Sequence, residues 1–282
     1  HNPSEYNGFK LVLDKHSFYA EEIQNLQKTV LNSKISIGKG KYKKIDIKNN
    51  YVNRNILNIS LRNNMKIAWD IGNGVTGAVI DLFTESFPNI EHLVINKEVD
   101  GTFPNHHPDP TVPKNMQQLI KTVKENECNL GLAFDGDGDR LGVIDNKGEI
   151  VWADQYMLLL SKEISQIYQN PKIIMDVKSS KVFFDEIKKF KCEPIMYRTG
   201  HSPIKEKMKE IKSPLSGEMS GHVCYSDDFY GYDDAIYVAL RLLRILSKEQ
   251  MTLNELINQY PKTLATPEIR IDVEEIRKFK II

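Results

Sequence analysis

Asp135, Asp137 and Asp139 alternate with Gly136 and Gly138 and are followed at once by Arg140; no other stretch of the chain is so well suited to chemistry. In an extended loop, side chains at i, i+2 and i+4 share one side of the backbone. Glycine between them lets the loop curl three carboxylates around one point. Hard anionic oxygens so arranged suit a hard divalent cation such as Mg²⁺, which keeps few protein ligands and readily takes phosphate oxygens. The adjacent Arg140 offers a bidentate fork for such a phosphate. The loop therefore points to metal-assisted phosphoryl chemistry. An EF-hand begins with the same alternation, but it needs Gly at its sixth position and Glu at its twelfth; Arg140 and Asn146 stand there instead. A phosphatase with an Asp nucleophile stays open on these residues alone. A merely solvated acidic turn is disfavoured, because clustered carboxylates repel one another unless something neutralises them.

Four other stretches bear on chemistry. Gly217-Glu218-Met219-Ser220-Gly221-His222 places a carboxylate and a hydroxyl at i and i+2 of a Gly-bounded loop, a pairing that can hydrogen-bond vicinal sugar hydroxyls. Arg198-Thr199-Gly200-His201 follows an expected strand and opens a helix, whose free N–H groups suit an anion. His201 suits phosphate binding or proton exchange near neutral pH, and Lys178 follows another strand toward the same cleft. Lys10 begins a strand and suits general acid/base work if burial lowers its pKa. Gly72 to Gly77 matches G-x-G-x-x-G, with Glu98 or Asp100 as a later acidic residue. A tight strand-to-helix turn is the favoured reading of that motif.

Strand-like and helix-like segments alternate around these stretches, which predicts α/β architecture with mixed, largely parallel sheets flanked by helices. A strand is expected at 8–13 and an amphipathic helix at 17–31, with Phe18, Ile23, Leu26 and Val30 on one side. A Lys- and Asn-rich linker at 32–63 leads into a helix. A second unit holds strands at 66–69 and 93–96, a helix from the Gly72 turn through 87, a long loop at 100–113 and a helix at 114–126. Strands at 130–134 and 141–144 then flank the acidic loop. A third unit holds helices at 157–169, 181–191, 204–211 and 233–246, strands at 172–176 and 195–197, and a loop at 217–221. A break at 265–267 precedes a strand at 268–273 and a helical stub.

The 282 residues allow about two domains at roughly 150 residues each. Hydrophobic content of 40% and charge of 27% are those of a soluble globular protein. Lys and Arg, 38 together, balance 38 Asp and Glu, which gives no electrostatic case for nucleic acid or an anionic membrane. No apolar run approaches the roughly 18 residues of a membrane helix, and no signal peptide is read. Cys128, Cys192 and Cys224 are scattered, lack metal spacing and read as buried apolar residues in a reducing compartment.

Taken together, these stretches resemble the α-D-phosphohexomutases, and within them the bacterial phosphomannomutase/phosphoglucomutase group. That family's catalytic loop runs Ser-His-Asn-Pro and then Asn-Gly-x-Lys; His1-Asn2-Pro3 and Asn7-Gly8-Phe9-Lys10 follow the same order. Its metal loop matches residues 135–140 and its sugar loop residues 217–222, where Met219 fits mannose and glucose mutases. Arg198 to His201 and Asp176-Val177-Lys178 match further active-site segments, and the Gly72 turn matches the opening turn of the second domain. The family's phosphorylated serine would fall immediately before His1. Its fourth domain would be represented only from residue 267 onward, so the chain is expected to be incomplete at both ends.

The resemblance implies the end of domain one at 1–40, domain two at 41–153, domain three at 154–265 and the start of domain four at 266–282. It implies a reversible mutase in which a phosphoserine passes its phosphoryl group to a hexose phosphate, and the resulting 1,6-bisphosphate turns round before returning the other phosphate. One Mg²⁺ would sit on Asp135, Asp137 and Asp139. Lys10, His1, Arg140 and His201 would be catalytic, while Glu218, Ser220, Thr199, Gly200, His222 and Lys178 would bind substrate. Hexose 1,6-bisphosphate would be activator and intermediate, and hexose phosphates the only partners of a cytoplasmic monomer or weak dimer. A Mg²⁺-dependent sugar phosphatase and an inactive binding remnant are the competing readings.

Overall fold

In the computed structural model, which describes residues 8–14, 16–32, 36–62, 64–262 and 273, the apolar runs of the chain become two mixed sheets and a short ribbon. The ribbon pairs β1 (Leu11–Leu13) with β2 (His16–Phe18), placing Leu11 opposite Phe18. The first sheet contains β3 (Lys66–Asp70), β4 (Glu91–Ile95), β5 (Leu130–Phe134), β6 (Leu141–Asp145) and β7 (Ile150–Val151), in the order β4-β3-β5-β6-β7. β3 runs parallel to β4 and β5, whereas β5, β6 and β7 are antiparallel. The second sheet contains β8 (Lys172–Asp176), β9 (Glu193–Tyr197), β10 (Leu215–Gly217) and β11 (Val223–Tyr225), in the order β11-β10-β8-β9. β8 is parallel to β9 and β10, and β11 closes the edge antiparallel.

Helices α1 (Glu21–Leu31), α2 (Lys48–Ile56), α3 (Ile80–Glu85) and α4 (Gln117–Glu125) belong to the first half of the chain. Helices α5 (Ala153–Ile167), α6 (Lys181–Lys189), α7 (His201–Ile211), α8 (Ala235–Lys248) and α9 (Leu253–Ile257) belong to the second. β5 and β6 bury every residue, as strands covered on both faces do. α8 is apolar almost all round and packs against α5 and β11 as well as β5 and β6. One core therefore runs from Ile67 and Leu132 through Leu240 and Leu243 to Ile173 and Phe183. Each such fully buried Leu, Ile or Phe side chain contributes about 1.5–3 kcal/mol. Inside this core Arg241, fully buried, donates to Glu163 Oε2 (2.7 Å) and Asp227 Oδ2 (2.8 Å), which pins α8 to α5. The strand ends that carry the acidic loop and the sugar-type loop are thus held by one shared helix.

The α/β class is as the sequence predicts, and the differences are local. Ser17 and Phe18, expected in a helix, lie in β2, where Phe18 pairs with Leu11 and Ser17 N donates to Glu206 Oε1 on α7 (3.0 Å). Tertiary pairing overrides helical periodicity there. α5 starts at Ala153 rather than 157, its first turn fixed by Trp152 N donating to Gln155 Oε1 (2.8 Å). A 3-10 turn, Val75–Ala78, separates the Gly72 turn from α3. β10 and β11 bracket what reads as a plain loop, and α9 has no counterpart among the expected elements. The strand and stub read beyond 267 lie outside the described residues, apart from Val273. Among the described residues no helix is long and apolar enough to cross a membrane. Cys128, Cys192 and Cys224 are buried and free.

Candidate active site

β5 delivers Asp135 to the buried head of the acidic loop. Its Oδ1 accepts the backbone N–H groups of Asp139 and Arg140, both at 3.0 Å, and its Oδ2 accepts Arg140 Nε at 2.7 Å. One carboxylate thus shapes its own loop. Arg140 Nη1 lies 3.4 Å from Asp109 Oδ1 in the 100–113 loop and Nε donates to Asp135, so the guanidinium is anchored on two carboxylates. The Gly72 turn buttresses this loop, with Val75 N donating to Gly136 O (3.0 Å). Lys10 Nζ donates to Asp137 Oδ2 (2.8 Å) and to Asp139 Oδ2. Burial pulls the Lys10 pKa down, but the hydrogen bonds and charges of Asp137 and Asp139 outweigh it and hold the ammonium well above its ordinary range. The lowered value that the sequence reading required of Lys10 is therefore reversed in this arrangement.

The 217–222 loop is a tight turn closed by Glu218 N to His222 O (2.9 Å) and Gly221 N to Glu218 O (3.0 Å). It is zipped to the acidic loop by Leu141 N donating to Gly221 O (3.1 Å) and by a β-bridge between Arg140 and His222. Gly221 has φ +92°, and a Cβ there would lie 2.7 Å from Leu141 O, so only glycine permits this approach. His222 spans the two loops: Nε2 is 3.1 Å from Asp139 Oδ1 and Nδ1 is 3.3 Å from Glu218 Oε2. Burial pushes His222 down to about 4, so near neutral pH the ring is neutral and has one N–H to donate. Burial also pushes Glu218 up to about 7, against the pull of the Gly200 N–H. A protonated Glu218 donating to Nδ1, with Nε2–H donating to Asp139, satisfies the whole chain.

The start of α7 completes the cluster. Gly200, at φ +130°, donates its N–H to Glu218 Oε1 (2.6 Å) from a backbone conformation that L side chains rarely adopt. His201 follows, its ring meeting the His222 ring edge-on at 5.3 Å between centroids. Thr199 Oγ1 donates to Asp176 Oδ2 (3.2 Å). Lys178 is exposed, and its charge lowers the Glu218 pKa. Ser220 is half-buried on the same turn. His1 lies outside the described residues.

Contacts thus link Lys10, Asp135, Asp137, Asp139, Arg140, His222, Glu218, Gly200 and His201. The sequence placed Asp176 in an active-site segment through Asp176-Val177-Lys178 but gave it no role. Its fully buried carboxylate accepts from Ser179 Oγ (2.9 Å), Thr199 Oγ1 and Met219 N (3.2 Å), one donor from each of three loops. Its position at the carboxyl end of a parallel strand, where α/β sheets place ligand sites, was the available signal. Asp109 was missed because it lies in the irregular 100–113 loop.

The cluster can hold a cation. Ligand atoms of Asp135, Asp139 and His222 all lie within 4.8 Å of one another, with Asp137 alongside on Lys10. Burial first, and then the charge of Asp139, push Asp135 upward against the pull of Arg140. A divalent ion relieves that crowding, and carboxylate oxygens are the donors a hard ion prefers.

Residues 47–148 match the family model for phosphoglucomutase/phosphomannomutase, alpha/beta/alpha domain II, and residues 152–264 match that for domain III. A phosphomannomutase/phosphoglucomutase of Pseudomonas putida is 41% identical over 282 residues, covering 100% of this chain and 61% of its own length. A phosphoglucomutase of Neisseria meningitidis serogroup A is 40% identical over 277 residues, covering 98% of this chain and 60% of its own. A crystal structure of a phosphoglucomutase/phosphomannomutase family protein from Burkholderia thailandensis superposes with a TM-score of 0.90 at 39% identity, over 95% of this chain and 58% of that one. The chain therefore spans about 60% of the length of the relatives it matches.

Proposed function

The chain belongs to the phosphoglucomutase/phosphomannomutase family of the α-D-phosphohexomutases, and on that premise we propose that the protein reversibly moves a phosphoryl group between C1 and C6 of glucose or mannose phosphate. The observation that carries this reading is the double reach of His222 to Asp139 and to Glu218. It sets a site for a charged transferring group directly beside a site for ring hydroxyls. A phosphatase with no preference for sugars needs only the first.

Asp135, Asp137 and Asp139 would hold Mg²⁺, which supplies charge neutralisation for the transferring phosphoryl group. Lys10, no longer needed to balance Asp137 and Asp139 once they hold the ion, would take the proton of the sugar hydroxyl that gains phosphate and return it to the sugar oxygen that loses phosphate. Glu218 and Ser220 hold ring hydroxyls, with Gly200 and His222 fixing the Glu218 carboxyl in place. Thr199, Gly200 and His201 present the start of α7 to phosphate, and Lys178 adds charge at that rim. Arg140, anchored on Asp135, would steady the enzyme phosphoserine. The phosphoryl group passes by way of an enzyme phosphoserine and a hexose 1,6-bisphosphate, which must turn round between two half-reactions. The same reading divides the chain near 40, 153 and 265 into parts of four domains.

Phosphorus-31 NMR of the protein with glucose 1-phosphate, Mg²⁺ and catalytic glucose 1,6-bisphosphate tests this. Conversion to glucose 6-phosphate, dependent on the bisphosphate, is expected. Release of inorganic phosphate without isomerisation would replace the mutase by a phosphatase.

A further inference from the structure

The loop before α8 sends a carboxylate to the first turn of α7. The Asp233 side chain is 6% exposed. Its backbone bridges Cys224 of β11, and its neighbour Asp234 caps α8 by accepting from Tyr237 N (2.9 Å). The carboxylate is therefore fixed from both sides. On α7, His201 and Lys205 are four residues apart and share one face. Lys205 Nζ donates to Asp233 Oδ1 at 3.0 Å. The other oxygen, Oδ2, lies 3.5 Å from His201 Nδ1. Both of those atoms are buried, and neither has a hydrogen-bond partner.

Two unsatisfied polar atoms facing each other in a buried place carry a desolvation cost, unless the pair closes when the site is in use. Catalytic hydrogen bonds are often long before ligand arrives. A carboxylate only accepts, so the contact selects the ring form with its proton on Nδ1; the other form sets a lone pair against Oδ2. Burial alone would raise Asp233, but Lys205 beside it more than offsets that, so the acceptor is ionised. The other groups acting on His201 are the His222 ring and, at longer range, Lys10 and Asp139.

We propose that Asp233 is the positioning residue for His201: its Oδ2 accepts a hydrogen bond from Nδ1–H, fixes the ring, and leaves Nε2 as the nitrogen that meets substrate. The substrate half rests on the mutase reading above, whereas the tautomer does not.

Long-range ¹⁵N–¹H spectra of the imidazole rings, with His201 assigned through His201→Gln, read the tautomer directly. The Nδ1–H form is expected in the parent protein and in Lys205→Met, and its loss in Asp233→Ala. If that variant does not fold, Asp233→Ala with Lys205→Met removes both charges together and is read the same way. In the mutase assay Asp233→Ala should lower kcat about tenfold or more with little change in KM, and Asp233→Ala with His201→Gln should be no slower than His201→Gln. An Nε2–H ring in the parent, or an unchanged Nδ1–H ring without Asp233, overturns the proposal. An Nδ1–H ring in a protein without mutase activity supports the pairing and removes the mutase reading alone.

Discussion

His222 Nε2 lies 3.1 Å from Asp139 Oδ1, which ties the turn at 217–222 to the acidic loop. With Mg²⁺ held as proposed, His222 would orient the Asp139 carboxylate from beside the ion, and removing such partners typically costs about 10–100-fold in metal affinity or activity. His222→Phe keeps the bulk and the edge contact with His201 but deletes both hydrogen bonds. It is expected to weaken Mg²⁺ binding, measured calorimetrically, and to lower turnover by a similar factor. Unchanged Mg²⁺ affinity would reduce the His222 bridge to packing.

The three aspartates should separate by mutation. Asp135 is fully buried and accepts three hydrogen bonds from its own loop, one of them from a charged Arg140. Asp135→Asn leaves Arg140 facing an amide, and breaking a buried pair this way costs about 3–5 kcal/mol. Asp137 is exposed and touches Lys10, so Asp137→Asn should change stability by no more than about 0.5 kcal/mol. Both variants should lose turnover by orders of magnitude. Urea denaturation beside the activity assay checks the contrast; equal stability of the two variants would contradict the role given to Asp135.

What was legible in the sequence is what is local in the chain. Asp135 to Asp139 announce a cation site because their alternation lies in five consecutive residues, and Glu218 and Ser220 announce themselves in the same way. The behaviour of Lys10 could not be read, because the carboxylates that hold it protonated are 127 and 129 residues away. The turn of Arg140 toward Asp109 bridges 31 residues and depends on an irregular loop. Asp176 was noticed only as part of a matching segment, because a buried acceptor for three separate loops has no local pattern. The sheet cores were readable from Leu130 to Phe134 and from Lys172 to Asp176, whose apolar runs suit strands covered on both faces. Ser17 and Phe18 were misplaced because the ribbon partner and Glu206 of α7 decide their conformation, not their own periodicity.

His106 gives a pH prediction. Its Nε2 lies 2.9 Å from Asp70 Oδ2, a buried carboxylate that also accepts from Gly72 N and Asn96 Nδ2. The hydrogen bond to Asp70 raises the His106 pKa above its ordinary value, more than burial lowers it. A group whose folded pKa is raised stabilises fully below its unfolded pKa, about 6.5, and that contribution is lost as pH rises through the folded value. His106→Gln keeps a donor but cannot titrate. The stability difference between parent and variant, from urea midpoints between pH 5.5 and 8.5, should therefore shrink as pH rises. A difference independent of pH would mean that His106 is not charged in the folded protein.

Arg241 tests the wall between α5 and α8. It donates to Glu163 and Asp227 from a fully buried position, and Arg244 Nε reaches the other Glu163 oxygen at 3.0 Å. Arg241→Met fills the volume but leaves two buried carboxylates short of positive charge, an expected loss of about 3–5 kcal/mol. Adding Glu163→Gln should recover part of it, because one of the two undercompensated charges is removed and only Asp227 remains. No recovery in the double variant would place the cost in packing around Tyr225 and Tyr237 instead.

Glu218 should make sugar binding depend on pH. Burial pushes its carboxyl up to about 7, while Gly200 N–H at 2.6 Å pulls the other way. The group is therefore half-protonated near neutral pH before substrate arrives. Sugar hydroxyls that donate to it favour the ionised form, so binding must release a proton from the fraction that still holds one. Substrate binding through Glu218 should then strengthen as pH rises through about 7 and level off above it. Glu218→Gln has nearly the same shape, can still accept from Gly200 N, and does not titrate. The substrate phosphate also titrates in this range, but it does so equally in parent and variant. The ratio of the Glu218→Gln KM to the parent KM isolates the side chain, and it should grow between pH 6 and 8 for glucose and mannose phosphates alike. A ratio that is flat with pH would show that Glu218 meets the sugar already charged, or not at all. A ratio that rises for one sugar only would place Glu218 at the hydroxyl that distinguishes the two.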